Sequence, residues 1–154
     1  EIYTTVGKVE TYIHMGGKVG VMVEACPFNG GEDVLHDVAL QIAAANPSYV
    51  NESEVPAEVI EKEKEILLAQ MQNDEKNANK PKEILEKIVT GKIGKYYTEN
   101  CLMNQLFVKD DSMTIAKVVG DKFTVVRFVR WVMGEGLEKR NDDFAAEVAA
   151  QSQM

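Results

Sequence analysis

Four side chains in this sequence are of the types that hold metals or attack electrophilic carbon: His14, His36, Cys26 and Cys101. A zinc site groups three or four such ligands in short, recognisable spacings. These four stand singly, so their spacing predicts no metal centre. A Cys–His nucleophile needs thiol and imidazole in contact, and nothing in the spacing requires it. The simpler readings are a small apolar thiol at each cysteine and a solvated histidine at 36, beside Asp37. Gly16-Gly17-Lys18 has the ending of a phosphate-binding loop, but Val19 follows where a hydroxyl must reach Mg²⁺, and the wider glycine spacing is absent. The same glycines join two strand-like runs instead of opening a helix, which excludes a dinucleotide fingerprint. His14 sits beside that glycine pair. Exposed loop tips carry recognition, so His14 is either a recognition group or an incidental surface residue, and the residues alone favour the second.

Around this tip the chain reads as a β-hairpin from Val9 to Ala25. Val9, Thr11 and Ile13 alternate on one face of the first run, and Val19, Val21 and Val23 on one face of the second. Gly16 and Gly17 supply the positive φ of a tight reversal. Pro27 to Gly31 reads as a loop. From Glu32 to Asn46 the apolar residues fall at helical spacing, ending at Asn46-Pro47. Ser48 to Val50 reads as a short extended piece. Ala57 to Gln72 is a charged amphipathic helix with a two-heptad seam, Val59/Ile66 and Ile60/Leu67. After a polar turn from Asn73 to Lys80, Pro81 opens a second helix with Ile84, Leu85, Ile88, Val89 and Ile93 apolar, weakened near its end by Gly91 and Gly94. The pair reads as an antiparallel helical hairpin.

Leu106-Phe107-Val108 reads as a loop with partly exposed apolar residues. Ser112 is the expected cap of a short helix, Met113 to Val119, stopped by Gly120. Phe123 to Met133 is a long alternating strand with Phe123, Val125, Arg127, Val129 and Trp131 on one face, Trp131 being read as core. Met71, Met103, Met113 and Met133 read as gap-fillers. Asn141 caps a last helix carrying Phe144 and Val148. The expected fold is therefore α+β: a three-stranded antiparallel sheet with helices packed on it, interrupted by the helical hairpin. The expected organisation is a core subdomain at 1–55 and 95–136, a coiled-coil insertion at 56–94, and a C-terminal helical module at 137–154.

Composition narrows the function. The chain has 154 residues, is 45% apolar and carries a formal charge of −8. Nucleic-acid affinity rests on cationic neutralisation of phosphates, so an acidic chain without a basic face excludes that class of partner. No apolar run reaches the ~18–20 residues of a membrane span, and no signal-peptide pattern opens the sequence. Two isolated cysteines predict free thiols in a reducing compartment. The absent initiator Met and the strand-like run Ile2 to Val6 lead us to expect a piece of a longer protein.

Several segments resemble elongation factor Ts, the bacterial nucleotide-exchange factor for elongation factor Tu. Tyr12-Ile13-His14-Met15-Gly16-Gly17-Lys18-Val19-Gly20-Val21-Met22-Val23 is similar to its second core hairpin, and 37–47 (DVALQIAAANP) to the following helix. Val59-Ile60-Glu61-Lys62-Glu63 and 80–89 (KPKEILEKIV) resemble the arms of its coiled-coil insertion. Gln105-Leu106-Phe107-Val108-Lys109-Asp110, 132–139 (VMGEGLEK) and 143–151 (DFAAEVAAQ) complete a match that runs along nearly the whole chain. The chain departs from the family at Leu106, where Pro is usual. It also has no counterpart of the N-terminal half, including the loop whose Phe enters the partner's nucleotide domain.

The resemblance implies exchange by binding, without covalent chemistry or cofactor, in the bacterial cytoplasm. It implies elongation factor Tu as partner, gripped mainly at its third domain. The implied contacts are His14 and Met15 at the hairpin tip, Phe107 and Val108 in the loop, and Phe144 and Val148 on the C-terminal helix. Lacking the N-terminal half, this chain alone is expected to be a poor exchange catalyst. The alternative function is self-association through the helical hairpin as a homodimer. A thiol- or metal-dependent enzyme ranks below both.

Overall fold

The computed structural model describes residues 4–73 and 81–137. The hairpin forms from β1 (Lys8–His14) and β2 (Val19–Phe28), followed by α1 (Glu32–Ala45), α2 (Ala57–Gln72) and α3 (Lys82–Asn100). A two-residue strand β3 (Leu106–Phe107) pairs with β4 (Asp110–Thr114), then come α4 (Ile115–Val119) and β5 (Phe123–Val132). The first and last strands meet in one antiparallel sheet of order β1-β2-β5. The fold is α+β, with a three-stranded antiparallel sheet and helices, as the sequence predicts. The predicted polar turn falls largely outside the described residues, as do the C-terminal helix and its Phe144 and Val148.

One face of the sheet carries the core. Val19, Val21, Val23 and Ala25 of β2 meet Leu35, Val38, Ala39, Ile42 and Ala43 of α1, a stripe at i, i+3, i+4, i+7 and i+8. Leu102, Phe107, Ile115 and Val119 close the same cluster, with Phe123 and Val125 at the start of β5. Asn46 ends α1 in the left-handed conformation, its N–H bonded to the Ile42 carbonyl. Arg130 Nη2, 3.4 Å from the Ala43 carbonyl, sits at the negative end of the same helix.

The register assigns the faces of β1 and corrects two readings of β5. Val9, Thr11 and Ile13 lie opposite Glu24, Met22 and Gly20, so they share the face turned away from the core, and Ile13 is 69% exposed. The core side of β1 is Glu10, Tyr12 and His14, because these lie opposite Val23, Val21 and Val19. In β5, pairing slips between Glu24↔Arg127 and Ala25↔Val125, leaving Val126 as the extra residue of a bulge. Phe123 and Val125 therefore face the core while Arg127, Val129 and Trp131 face the other way. Trp131 is 38% exposed and is not core. A second irregularity, in β2 between Ala25 and Phe28, carries the chain through Pro27 to Phe28, which stacks on Phe123 at 5.6 Å.

The helical hairpin has its own apolar seam. Ile60 and Met71 of α2 meet Leu85, Val89 and Ile93 of α3, with Val55 and Cys101 at the base. Ile66 and Ile84, predicted on the apolar side, are exposed. Gly91 and Gly94 do not end α3. The helix continues to Asn100, since Tyr96 and Tyr97 pack against the seam beyond both glycines. Backbone bonds stitch its end to the 48–50 segment: Ser48 and Tyr49 N–H donate to the Asn100 carbonyl, and Leu102 N–H to that of Tyr49. Ser112 lies within β4, bonded to Asp110, so it caps nothing, and α4 starts after Thr114. Met71 fills the helical seam and Met103 packs on the main core, but Met113 and Met133 are exposed.

Candidate functional site

The tip of the β1–β2 hairpin is a compact turn, Met15 to Gly17, with φ of 51°, 64° and 96° at its three residues. Positive φ costs a side chain backbone strain, and the turn carries one such residue, Met15. A Cβ added at Gly16 or Gly17 would meet nothing within 4 Å, so these glycines serve the backbone and not packing. Met15 stands 63% exposed at the end of the body. His14 is half-buried, because its ring lies on the core side of β1 in line with Tyr12. Tyr12 Oη is 3.2 Å from His14 Nδ1. Tyr12 also packs edge-on against His36 of α1, and His36 Nδ1 lies 2.9 Å from Glu10 Oε1. His36 is thus no merely solvated histidine: it ties α1 to the edge strand.

The second element is the turn at 105–109. Phe107 is 8% exposed and inserts into the main core, so it anchors the turn and offers little surface. Its neighbours Leu106 and Val108 point out, Val108 at 47%. The turn is pinned by Gln41 of α1, which is 1% exposed and fully bonded. Gln41 Nε2 donates to Gln105 Oε1 and to the Leu106 carbonyl, both at 3.1 Å, and Gln41 Oε1 accepts from Val108 N–H at 2.9 Å. Lys109 Nζ reaches Asp37 Oδ1 at 2.6 Å one helical turn earlier. The hairpin edge and the 105–109 turn are therefore braced on neighbouring stripes of one helix: His36 holds the first, Asp37 and Gln41 the second.

Among the described residues four groups titrate away from their ordinary values, each with a structural cause. Burial, helped by Glu52 and Glu54, pushes the Cys101 thiol up, the opposite of an activated nucleophile. Burial also raises Tyr96. The Glu24 carboxyl is held low by hydrogen bonds from Thr5 and Arg127, on the face of the sheet away from α1. Asp110 is lowered by its bonds from Ser112. Among the described residues no three His, Cys, Asp or Glu side chains gather to hold a metal, and no helix is long and apolar enough to cross a membrane. What the site presents is shape and exposed apolar surface.

Comparison with known proteins adds to this geometry. The family model described as "Elongation factor TS" matches residues 1–135. Elongation factor Ts of Desulforamulus reducens is 52% identical, the match covering 94% of this chain and 71% of that protein. The chain belongs to the elongation factor Ts family. Elongation factor Ts of Nitratiruptor sp. is 49% identical over 94% of this chain, which spans half of that longer protein. That of Geobacter sulfurreducens is 47% identical, over 95% of this chain and 72% of its own length. Kinship makes the chain a bacterial translation elongation factor, and it gives the site residues a context. His14, Met15 and Val108, expected from the elongation factor Ts pattern, stand at the braced tip and turn. Phe107 lies in the main core. Tyr12 and Gln41 escaped sequence reasoning. The available signal for Gln41 was a polar residue inside the apolar stripe of α1, between Val38 and Ile42.

Proposed function

We propose that this chain docks on elongation factor Tu through the hairpin tip and the 105–109 turn, and so takes part in guanine-nucleotide exchange by binding, in the bacterial cytoplasm. The observation that carries this is the shared brace: His14 with Met15, and Val108, are held exposed or half-exposed by one helix whose buried face is the main core. Binding that favours a partner conformation with weak hold on GDP must itself be weakened by GDP to the same degree. No covalent step is required of this chain, and no cofactor. Phe107 acts as the anchor of Val108 and not as a contact.

Calorimetric titration of the chain against elongation factor Tu tests the reading. His14→Ala and Val108→Ala are each expected to weaken binding about tenfold, the scale of a central interface residue. Absence of binding by the unaltered chain contradicts the proposal. A second reading, homodimerisation through α2 and α3, rests on exposed Ile66 and Ile84. Sedimentation of the chain with 59–93 replaced by a short linker separates the two. Loss of a dimer with partner binding intact supports the second role for the hairpin, and loss of partner binding contradicts our assignment of docking to the body.

A further inference from the structure

We infer that Tyr12 is a positioning residue that fixes the tautomer of His14, so that the hairpin tip offers a directed N–H donor to an oxygen acceptor on its protein partner. The inference rests on the docking reading above and deepens it.

Glu10, Tyr12 and His14 alternate along the core side of β1, and His14 is still extended, with φ −114° and ψ 151°. That places the Tyr12 and His14 rings side by side, 5.7 Å between centroids. The contact between Tyr12 Oη and His14 Nδ1 spans 3.2 Å. A phenol O–H is the stronger donor of the pair, and an unprotonated imidazole nitrogen the stronger acceptor, so the phenol donates and Nδ1 accepts. In neutral His14 the ring proton then sits on Nε2, on the far side of the ring. Nε2 has no partner among the described residues.

Tyr12 is itself held. It lies opposite Val21, packs on the main core, and meets the His36 ring edge-on at 5.5 Å with an 86° interplanar angle. His36 is in turn fixed by Glu10 at 2.9 Å. The chain of contacts Glu10–His36–Tyr12–His14 thus runs from α1 to the tip. A recognition histidine without such a brace would sample both tautomers and several rotamers, and each would have to be given up on binding. The complementary partner group is a carbonyl, carboxylate or amide oxygen, not an N–H.

Long-range ¹H–¹⁵N spectra of the full chain, labelled at histidine, read the tautomer directly. We expect His14 as Nε2–H in the unaltered chain and a mixture of tautomers in Tyr12→Phe, which keeps the ring and its packing. In titrations with elongation factor Tu, Tyr12→Phe is expected to weaken binding ~3–10-fold, the scale of one hydrogen bond. That loss should vanish when both proteins compared already carry His14→Ala. His14→Gln, whose amide nitrogen reaches to the place of Nε2, should bind within about threefold of the unaltered chain, well above His14→Ala. Finding His14 as Nδ1–H, or a Tyr12→Phe loss that persists without His14, overturns the inference while docking through the tip stands. A His14→Ala chain that binds as tightly as the unaltered one overturns both.

Discussion

The body and the helical hairpin of this molecule are both built on apolar stripes, yet they bury them differently. In the body, the buried stripe of α1 packs into one cluster with the sheet, the 102–107 segment and α4, and Leu35, Val38 and Ile42 are completely enclosed. In the hairpin, α2 and α3 have chiefly each other, and the seam residues Ile60, Leu85, Val89 and Ile93 keep a few per cent of their surface in water. An element packed against several others has more buried contacts to lose on opening than one packed chiefly against a single helix. The exposed groups expected to contact a partner hang on the better-enclosed region, where a recognition surface loses least entropy on binding.

Core truncation should widen that contrast most. Ile42→Ala is expected to cost ~2–5 kcal/mol and to lower the thermal midpoint of the whole described fold. Leu85→Ala should cost about 2 kcal/mol, the low end of the same range, because neighbouring solvent relaxes part of the cavity. Hydrogen exchange distinguishes the two. The first variant exposes amides of β2 and α1, whereas the second exposes α2 and α3 and leaves β2 protected. Equal loss of β2 protection in both would show that the regions unfold as one.

Gln41→Ala comes next. It orphans the Val108 N–H and removes the donor to Gln105 and Leu106, for an expected ~1–3 kcal/mol. Its local signature is faster exchange at Val108 together with weaker binding to elongation factor Tu. A variant that loses stability but keeps full affinity would break the link between the brace and docking.

The smallest effect concerns acid. Glu24 titrates below its ordinary value of 4.5 in the folded chain, so its contribution is present above that value and is lost as pH falls through the lower folded value. Denaturant midpoints should therefore drop below about pH 4.5, and Glu24→Gln should flatten part of that limb. Asp110 shifts in the same direction and leaves a remainder in the variant.

Long periodic segments were legible from the sequence because one physical cause dominates each. α1 follows from its apolar stripe and the Asn46-Pro47 stop, the three strands from alternation, and α2 from its Glu/Lys face with an apolar seam. The rest is decided by tertiary contacts. For edge strand β1 alternation alone does not say which face meets the core; it is the face of Glu10 and Tyr12, which contact His36, 26 positions from Glu10. The bulge at Val126 reverses the alternation of β5 midway, so Trp131 is exposed. α3 runs through Gly91 and Gly94 because packing by Tyr96 and Tyr97 outweighs the ~1 kcal/mol that each glycine costs. At the site, His14 and Val108 came from family resemblance. Of their supports, Gln41 shows in the sequence as a polar residue within the apolar stripe of α1, whereas the part played by Tyr12 is visible only when strand and helix are brought together.

Hydrogen exchange of the chain, free and saturated with elongation factor Tu, tests the central claim most directly. The docking surface described here predicts new protection at residues 13–17 and 106–109 and unchanged exchange along 59–93. Protection confined to α2 and α3, with the tip and the turn exchanging as in the free chain, would contradict it.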